Sequence, residues 1–282
     1  MTGMLERLGL AFGRVFPACV TLGQAVAFNM FLAFFPLLLF GLGVLSAIAP
    51  FESAVRDLPE RLRTIVPPGS EQVVLDYFVR PHAHAWRWTV LGLGGLLVAG
   101  SQVLMGLMQG FWIVENAEKP SAYFRLQLRA LAALCITIAP WLAFEGLTVF
   151  ARPARHWIVE QFGFSVWVTG LFAAVYHGLT LVLAMIVVVI VYRIGQPAMR
   201  AFADVAPGAM VATVLWWVVD IVFGFYVRYM PYNAVYGSVA AAIGLLLWMY
   251  LTAMVLFVGA AYNAVSREVD IAKQDYRVLT PW

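Results

Sequence analysis

Four ionisable side chains stand inside or at the edge of long apolar runs in this 282-residue chain: Glu145, His177, Asp220 and Arg228. Asp220 is the most deeply set, preceded by Trp216-Trp217-Val218-Val219 and followed by Ile221-Val222-Phe223. A carboxylate within a membrane helix costs roughly 2.5–3.5 kcal/mol on insertion scales and as a rule faces a cavity or a partner. A functional role is therefore the first reading. Two structural readings stand beside it: pairing with a group on another helix, and a protonated carboxyl bonded to a neighbouring carbonyl. With a rise of about 1.5 Å per residue, Asp220, His177 and Glu145 fall at compatible depth on three different helices, in the half of the membrane opposite the chain termini. That is the arrangement a water-filled vestibule open to the outer side requires. Arg228 follows Asp220 by eight residues, two turns further out on nearly the same face, where it can guard the mouth. The sequence sets the depth of these groups and leaves their mutual contact open.

Other chemistry has weaker support. His82-Ala83-His84 lacks the further His, Cys or spaced acids of a metal site, so no metal is expected. No Gly-rich phosphate loop with its Lys, no Gly-x-Ser-x-Gly elbow and no His-Glu-x-x-His is present, and no cofactor is implied. Cys19 and Cys135, both in or beside apolar runs, read as packed thiols and not as a disulfide framework. Gln24, Asn29, Gln102 and Gln109 read first as interhelical glue.

The elements that must position these groups follow from composition. Residues are 63% hydrophobic and 12% charged, against about 25% charged in a soluble domain, so the chain belongs in lipid. A formal charge of +3, dispersed along the chain, excludes a nucleic-acid footprint. Apolar runs that exceed the roughly 20 residues needed to cross the hydrocarbon core as a helix predict an all-α polytopic membrane protein with six transmembrane helices. The spans run over about 22–49, 88–114, 128–150, 166–192, 205–229 and 236–265, in a single membrane domain covering 1–282. Residues 4–16 predict a short helix on the membrane surface. The apolar run after it is too long for a signal-peptide core and reads as an uncleaved anchor. Residues 50–87 form an extracytoplasmic loop whose apolar positions, split at Pro67-Pro68-Gly69, predict an interfacial helical hairpin between the first two spans.

Pro36 lies near the centre of the first span as a bend or hinge. Gly106 and Gly110 make a GxxxG pattern in the second, and Gly237 and Gly259 mark the small-residue ends of the last, where backbones can approach closely. Six spans put both termini on one side. Ten of the 18 Lys and Arg fall on that side, five of the remaining eight falling in the longer loop, which places the termini weakly in the cytoplasm. No internal sequence repeat is visible.

Several of these stretches carry a resemblance. Phe34-Phe35-Pro36-Leu37-Leu38, Pro207-Gly208-Ala209, Leu215-Trp216, Phe225-Tyr226-Val227, Tyr236-Gly237-Ser238 and Leu247-Trp248-Met249-Tyr250, in this order and spacing, resemble the YihY/BrkB family of bacterial inner-membrane proteins. The resemblance covers most of the chain. It implies cytoplasmic termini in the inner membrane and the transporter role suggested for that family, with membrane lipids as surroundings and a small solute or lipid as cargo. The rival reading is a structural or interaction protein of the envelope without transport activity. Many members carry a Glu after the Gly-Ala of the last span, where this chain has Ala261-Tyr262-Asn263. Proteins resembling the family have also been labelled a transfer-RNA-processing ribonuclease, ribonuclease BN. The His and Asp ligands and the basic surface of a metal-dependent nuclease are missing here, so no enzyme is expected. The sequence does not set the oligomeric state.

Overall fold

In hydrocarbon a backbone must satisfy its own polar groups, and a helix does so within one segment. The computed structural model, described here for residues 3–47, 85–118, 123–138, 140, 166–198, 200–229 and 239–279, is accordingly helical, with no strand among the described residues. Among the described residues seven helices appear: α1 (Met4–Val15), α2 (Val20–Ala47), α3 (Ala85–Val114), α4 (residues 123–138), α5 (Val166–Gly195), α6 (Phe202–Tyr229) and α7 (Ala240–Leu279). Among the described residues five stretches are long and apolar enough to cross a membrane: Val20–Gly41, Thr89–Val114, Gly178–Gly195, Phe202–Val227 and Ala242–Ala272. The protein is thus a polytopic all-α membrane protein.

Several helix ends depart from the sequence expectation: α4 begins at residue 123 and not 128, α5 ends at Gly195 and not 192, and α6 begins at Phe202 and not 205. Residues 85–87, read as the end of the loop, are the first turn of α3. The last helix continues past Val265 to Leu279, because Ser266–Leu279 contains no Gly or Pro to stop it. The expected hairpin of residues 51–80 and Gly237 lie outside the described residues. Cys19 is buried, whereas Cys135 is exposed on α4, contrary to its reading as a packed thiol.

The chain divides into two compact units, the first comprising Met1–Val20, Leu107–Trp217 and Met254–Trp282, the second Thr21–Gly106 and Val218–Ala253. In the second, Gly106 faces Val26, Gly95 faces the ring of Pro36, and Gly92 lies against the backbone of Phe40. The glycines of α3 thus give α2 a smooth surface on which its Pro36 bend can rest. Val26, Ala27, Ala33 and Leu96 fill the buried side of this pair.

In the first unit Phe111 is the packing centre. Its ring meets Tyr192 edge-on at 5.2 Å and Phe257 at 6.2 Å. Gly110 leaves the room that the Phe257 ring occupies, so the second half of the GxxxG pattern is consumed by packing within the chain. The Tyr192 hydroxyl donates to the Leu256 carbonyl at 2.6 Å.

The tightest approach is between α6 and α7. A Cβ on Gly208 would collide with the Gly259 carbonyl and the Asn263 side chain, and one on Gly259 with the Tyr192 hydroxyl, the Gly208 carbonyl and Ala212. Pro207 lacks an N–H and loosens the helical ladder here. Asn263, 1% exposed, bonds to the backbone on either side of it: its Oδ1 accepts from the Gly208 N–H at 2.7 Å and its Nδ2 donates to the Val205 carbonyl at 3.0 Å. Lipid offers helices no hydrophobic reward for associating, so close packing and such bonds must hold them.

Two substitutions test this seam. Gly259→Val should cost about 1–3 kcal/mol through overpacking, and Asn263→Leu should cost about the same by orphaning two backbone groups. Both should lower the thermal unfolding midpoint in detergent, while Gly178→Ala, which meets nothing within 4 Å, should leave it unchanged.

Candidate functional site

Two polar sites stand out, one in each unit. In the second unit Asp220 projects from α6, exposed, with exposed Trp217, Val218, Ile221 and Val222 around it on the helix. Its partner among the described residues is the indole of Trp248 on α7, which donates to Oδ1 at 2.9 Å. An indole N–H is a donor only, so it lends the carboxylate a hydrogen bond without neutralising it. Phe223 and Tyr226, one turn away, stack in a tilted pair 6.1 Å apart.

The remaining members of the expected constellation have different fates. Arg228 follows two turns later on α6, its contacts lying outside the described residues. His177 is on α5, in the first unit, and its side chain too lies outside what is described. Glu145 lies outside the described residues altogether. Trp248 was legible in the sequence only as part of a family-like stretch. Its role depends on α6 and α7 pairing at one register, which no local pattern encodes.

The other site was missed. In the first unit the helix ends converge with charged side chains that the sequence reading had used only to orient the chain. Arg14 of α1 forms a forked pair with Glu268, Nη1 to Oε1 at 2.9 Å and Nη2 to Oε2 at 2.7 Å, and its Nη1 also donates to the Val114 carbonyl at 3.2 Å. Arg7 reaches Asp270 at 3.1 Å. A cation at the last carbonyls of a helix both fills orphan acceptors and offsets the negative end of the dipole. The same logic governs α5, where Trp112 Nε1 donates to the Gly195 carbonyl at 3.1 Å and Arg129 Nη2 to the Gln196 carbonyl at 2.7 Å.

Glu115 sits at the centre of this region with only 6% of its side chain exposed, 2.7 Å from Arg267 and 3.8 Å from Arg200. The signal available in the sequence was the uninterrupted helical run after Val265. At helical spacing it carries Arg267, Glu268 and Asp270 out of the membrane toward an N-terminal helix bearing Arg7 and Arg14.

Comparison with known proteins places this chain in a family. A family model described as Virulence factor BrkB matches residues 17–278. A UPF0761 membrane protein of Alkalilimnicola ehrlichii is 25% identical over 260 residues, covering 91% of this chain and 57% of that protein. Similar proteins of Xanthomonas axonopodis pv. citri and Xanthomonas oryzae pv. oryzae, also UPF0761 membrane proteins, are 25% and 26% identical over 256 residues, covering 88% of this chain and 57% and 56% of theirs. The chain therefore spans little more than half the length of these curated relatives. No solved structure matches it.

Removing the acid at the centre of the charged region should expose its cost. Glu115→Gln leaves Arg267 and Arg200 without their carboxylate. Full burial would make this worth about 3–5 kcal/mol, and the partial exposure of both arginines reduces it to about 1–3 kcal/mol. The thermal midpoint should fall, and the double variant Glu115→Gln/Arg267→Gln should recover part of the loss.

Proposed function

This chain belongs to the virulence factor BrkB family, and we propose that it is an inner-membrane protein that moves or accommodates a lipid or small solute through a polar vestibule opposite the termini, with Asp220 as its working carboxylate. The observation that carries the reading is Asp220 itself: an exposed carboxylate in the middle of an apolar helix, held by a neutral indole donor. A charge kept at that cost is best explained by a cargo or proton that it meets. The role is non-enzymatic.

In this reading the chain crosses the membrane six times with both termini in the cytoplasm. The Trp112 bond to the Gly195 carbonyl supports the count, because it brings the ends of α3 and α5 together. A chain leaving the end of α3 must then cross once more to begin α5, about 45 Å away along a helix of 30 residues, and α4 starts that crossing. The pairing of α1 with the end of α7 supports a shared side for the termini.

A different observation favours a structural protein of the envelope without transport activity. Buried Thr137 and Thr213 spend their hydroxyls on carbonyls one turn back in their own helices, and Asn263 spends its amide on the α6 backbone, as structural polar groups would.

The experiments separate these readings. Single cysteines at Ala272 and Ser70 should be labelled by a membrane-impermeant maleimide from the cytoplasmic and the outer side respectively, and labelling of both from one side contradicts six crossings. In proteoliposomes, wild type should accelerate dithionite quenching of a fluorescent phosphatidylglycerol beyond that of protein-free vesicles. Asp220→Asn keeps an acceptor for Trp248 and removes the charge, so it should abolish that acceleration with the thermal midpoint held. A drop in midpoint that Trp248→Phe reproduces would assign Asp220 to structure instead.

A further inference from the structure

We propose that the charged region of the first unit, on the side of the termini and independent of Asp220, is a binding site for a phosphate-class oxyanion, held by Arg200, Arg267 and the side-chain amide of Gln196. Three observations converge there. The first is charge. Arg200 and Arg267 share one acid, Glu115, while Arg129 is spent on the Gln196 carbonyl and Glu268 is forked by Arg14. A single carboxylate leaves this group with an excess of positive charge in a partly dehydrated setting, where an anion is held more strongly than in water.

The second is a set of donors that the protein does not use. Gln196 is 0% exposed, yet neither its Nε2 nor its Oε1 meets a partner among the described residues. Arg200 Nε, Arg267 Nη1 and Ser266 Oγ are buried and unpartnered in the same way. Leaving such a group unmet opposes folding, so several in one region are poorly accounted for by stability alone. The amide N–H of Gln196, the guanidinium N–H groups and the Ser266 hydroxyl can donate toward an oxyanion, and a protonated phosphate oxygen can donate in return to Gln196 Oε1.

The third is access. Arg200 is 37% exposed and Arg267 22%, so the buried donors adjoin arginines that reach the surface. The backbone around the site is also held in place. Gly195 and Gln196 carbonyls are capped by Trp112 and Arg129, and Glu115 holds the heads of Arg200 and Arg267. Glu115 then acts as the competitor that an arriving oxyanion replaces as partner to Arg200, its weaker contact at 3.8 Å. The oxyanion can come from an anionic phospholipid headgroup of the adjacent leaflet or from free phosphate, and the chemistry is shared.

The test uses the full chain purified in a neutral detergent. Thermal midpoints are compared in sodium phosphate and sodium chloride at matched ionic strength, and separately with phosphatidic acid or phosphatidylcholine added to the micelles. Phosphate or phosphatidic acid should raise the midpoint by about 4 °C or more at saturation, with chloride and phosphatidylcholine inert. A response to phosphate without lipid identifies the free anion, and a response to phosphatidic acid alone identifies the headgroup. Gln196→Leu removes an unmet amide without removing charge, so it should fold at least as stably as wild type while weakening apparent affinity roughly tenfold or more. Arg200→Gln should weaken it similarly, and Glu115→Gln should strengthen it. The proposal is overturned if neither phosphate nor phosphatidic acid shifts wild type beyond its control, or if the shift survives intact in both Gln196→Leu and Arg200→Gln. Neither result bears on translocation through Asp220, which is read in a different assay.

Discussion

A polar backbone group in hydrocarbon has no water to fall back on, and the way this protein meets that constraint organises the described structure. Within spans the helix ladder suffices. At the last turns of α3 and α5, and beside Pro207, a side chain from another element bonds to the backbone: Arg14, Arg129, Trp112 and Asn263. Each is a long-range contact. Together they tie α1, α4, α5 and the adjoining parts of α3, α6 and α7 within the first unit, so the bonding of helix ends doubles as tertiary structure.

The same constraint explains why glycine and arginine matter so much in a chain dominated by Leu, Val, Ala and Phe. Gly208 and Gly259 permit an approach close enough for the Asn263 amide to reach the α6 backbone, and larger residues would hold it out of range. Arginine supplies several donors on a flexible stem that can reach a helix end from the membrane surface. A second pair of arginines, Arg200 and Arg267, meets Glu115 and keeps buried N–H groups that this acid does not engage.

Legibility in the sequence differed by type of feature. The membrane class and most helix limits were readable, because run length is a local property with a physical threshold set by bilayer thickness; α5 and α6 begin and end within three residues of the expected limits. Asp220 was readable as an anomaly, since a charge in an apolar run stands out without any structure. Its partner Trp248 was not. The Asn263 contact was hidden behind a family comparison that drew the eye to a missing Glu two residues earlier. The Glu115 cluster was missed because its members are ordinary flanking charges, each unremarkable beside a span end, and only their meeting makes them a site. Treating the last apolar run as ending at Val265 compounded the error, since lipid stops there and the helix does not.

What the sequence determined by itself is that this chain must live in a membrane as a bundle of apolar helices, with a carboxylate at a costly depth and its cationic residues near the ends of spans. These follow from transfer free energy, which each segment carries independently of the rest. What only the tertiary structure decided is which polar groups meet. Helices of nearly uniform apolar surface carry little information about their neighbours, so partner and register are set by the few places where a glycine admits a backbone or an amide bonds to one. Those places lie tens to hundreds of residues apart: Arg14 meets Glu268 across 254 positions and Asn263 meets Gly208 across 55. No window along the sequence contains both halves of such a bond, and closing them took the folded chain.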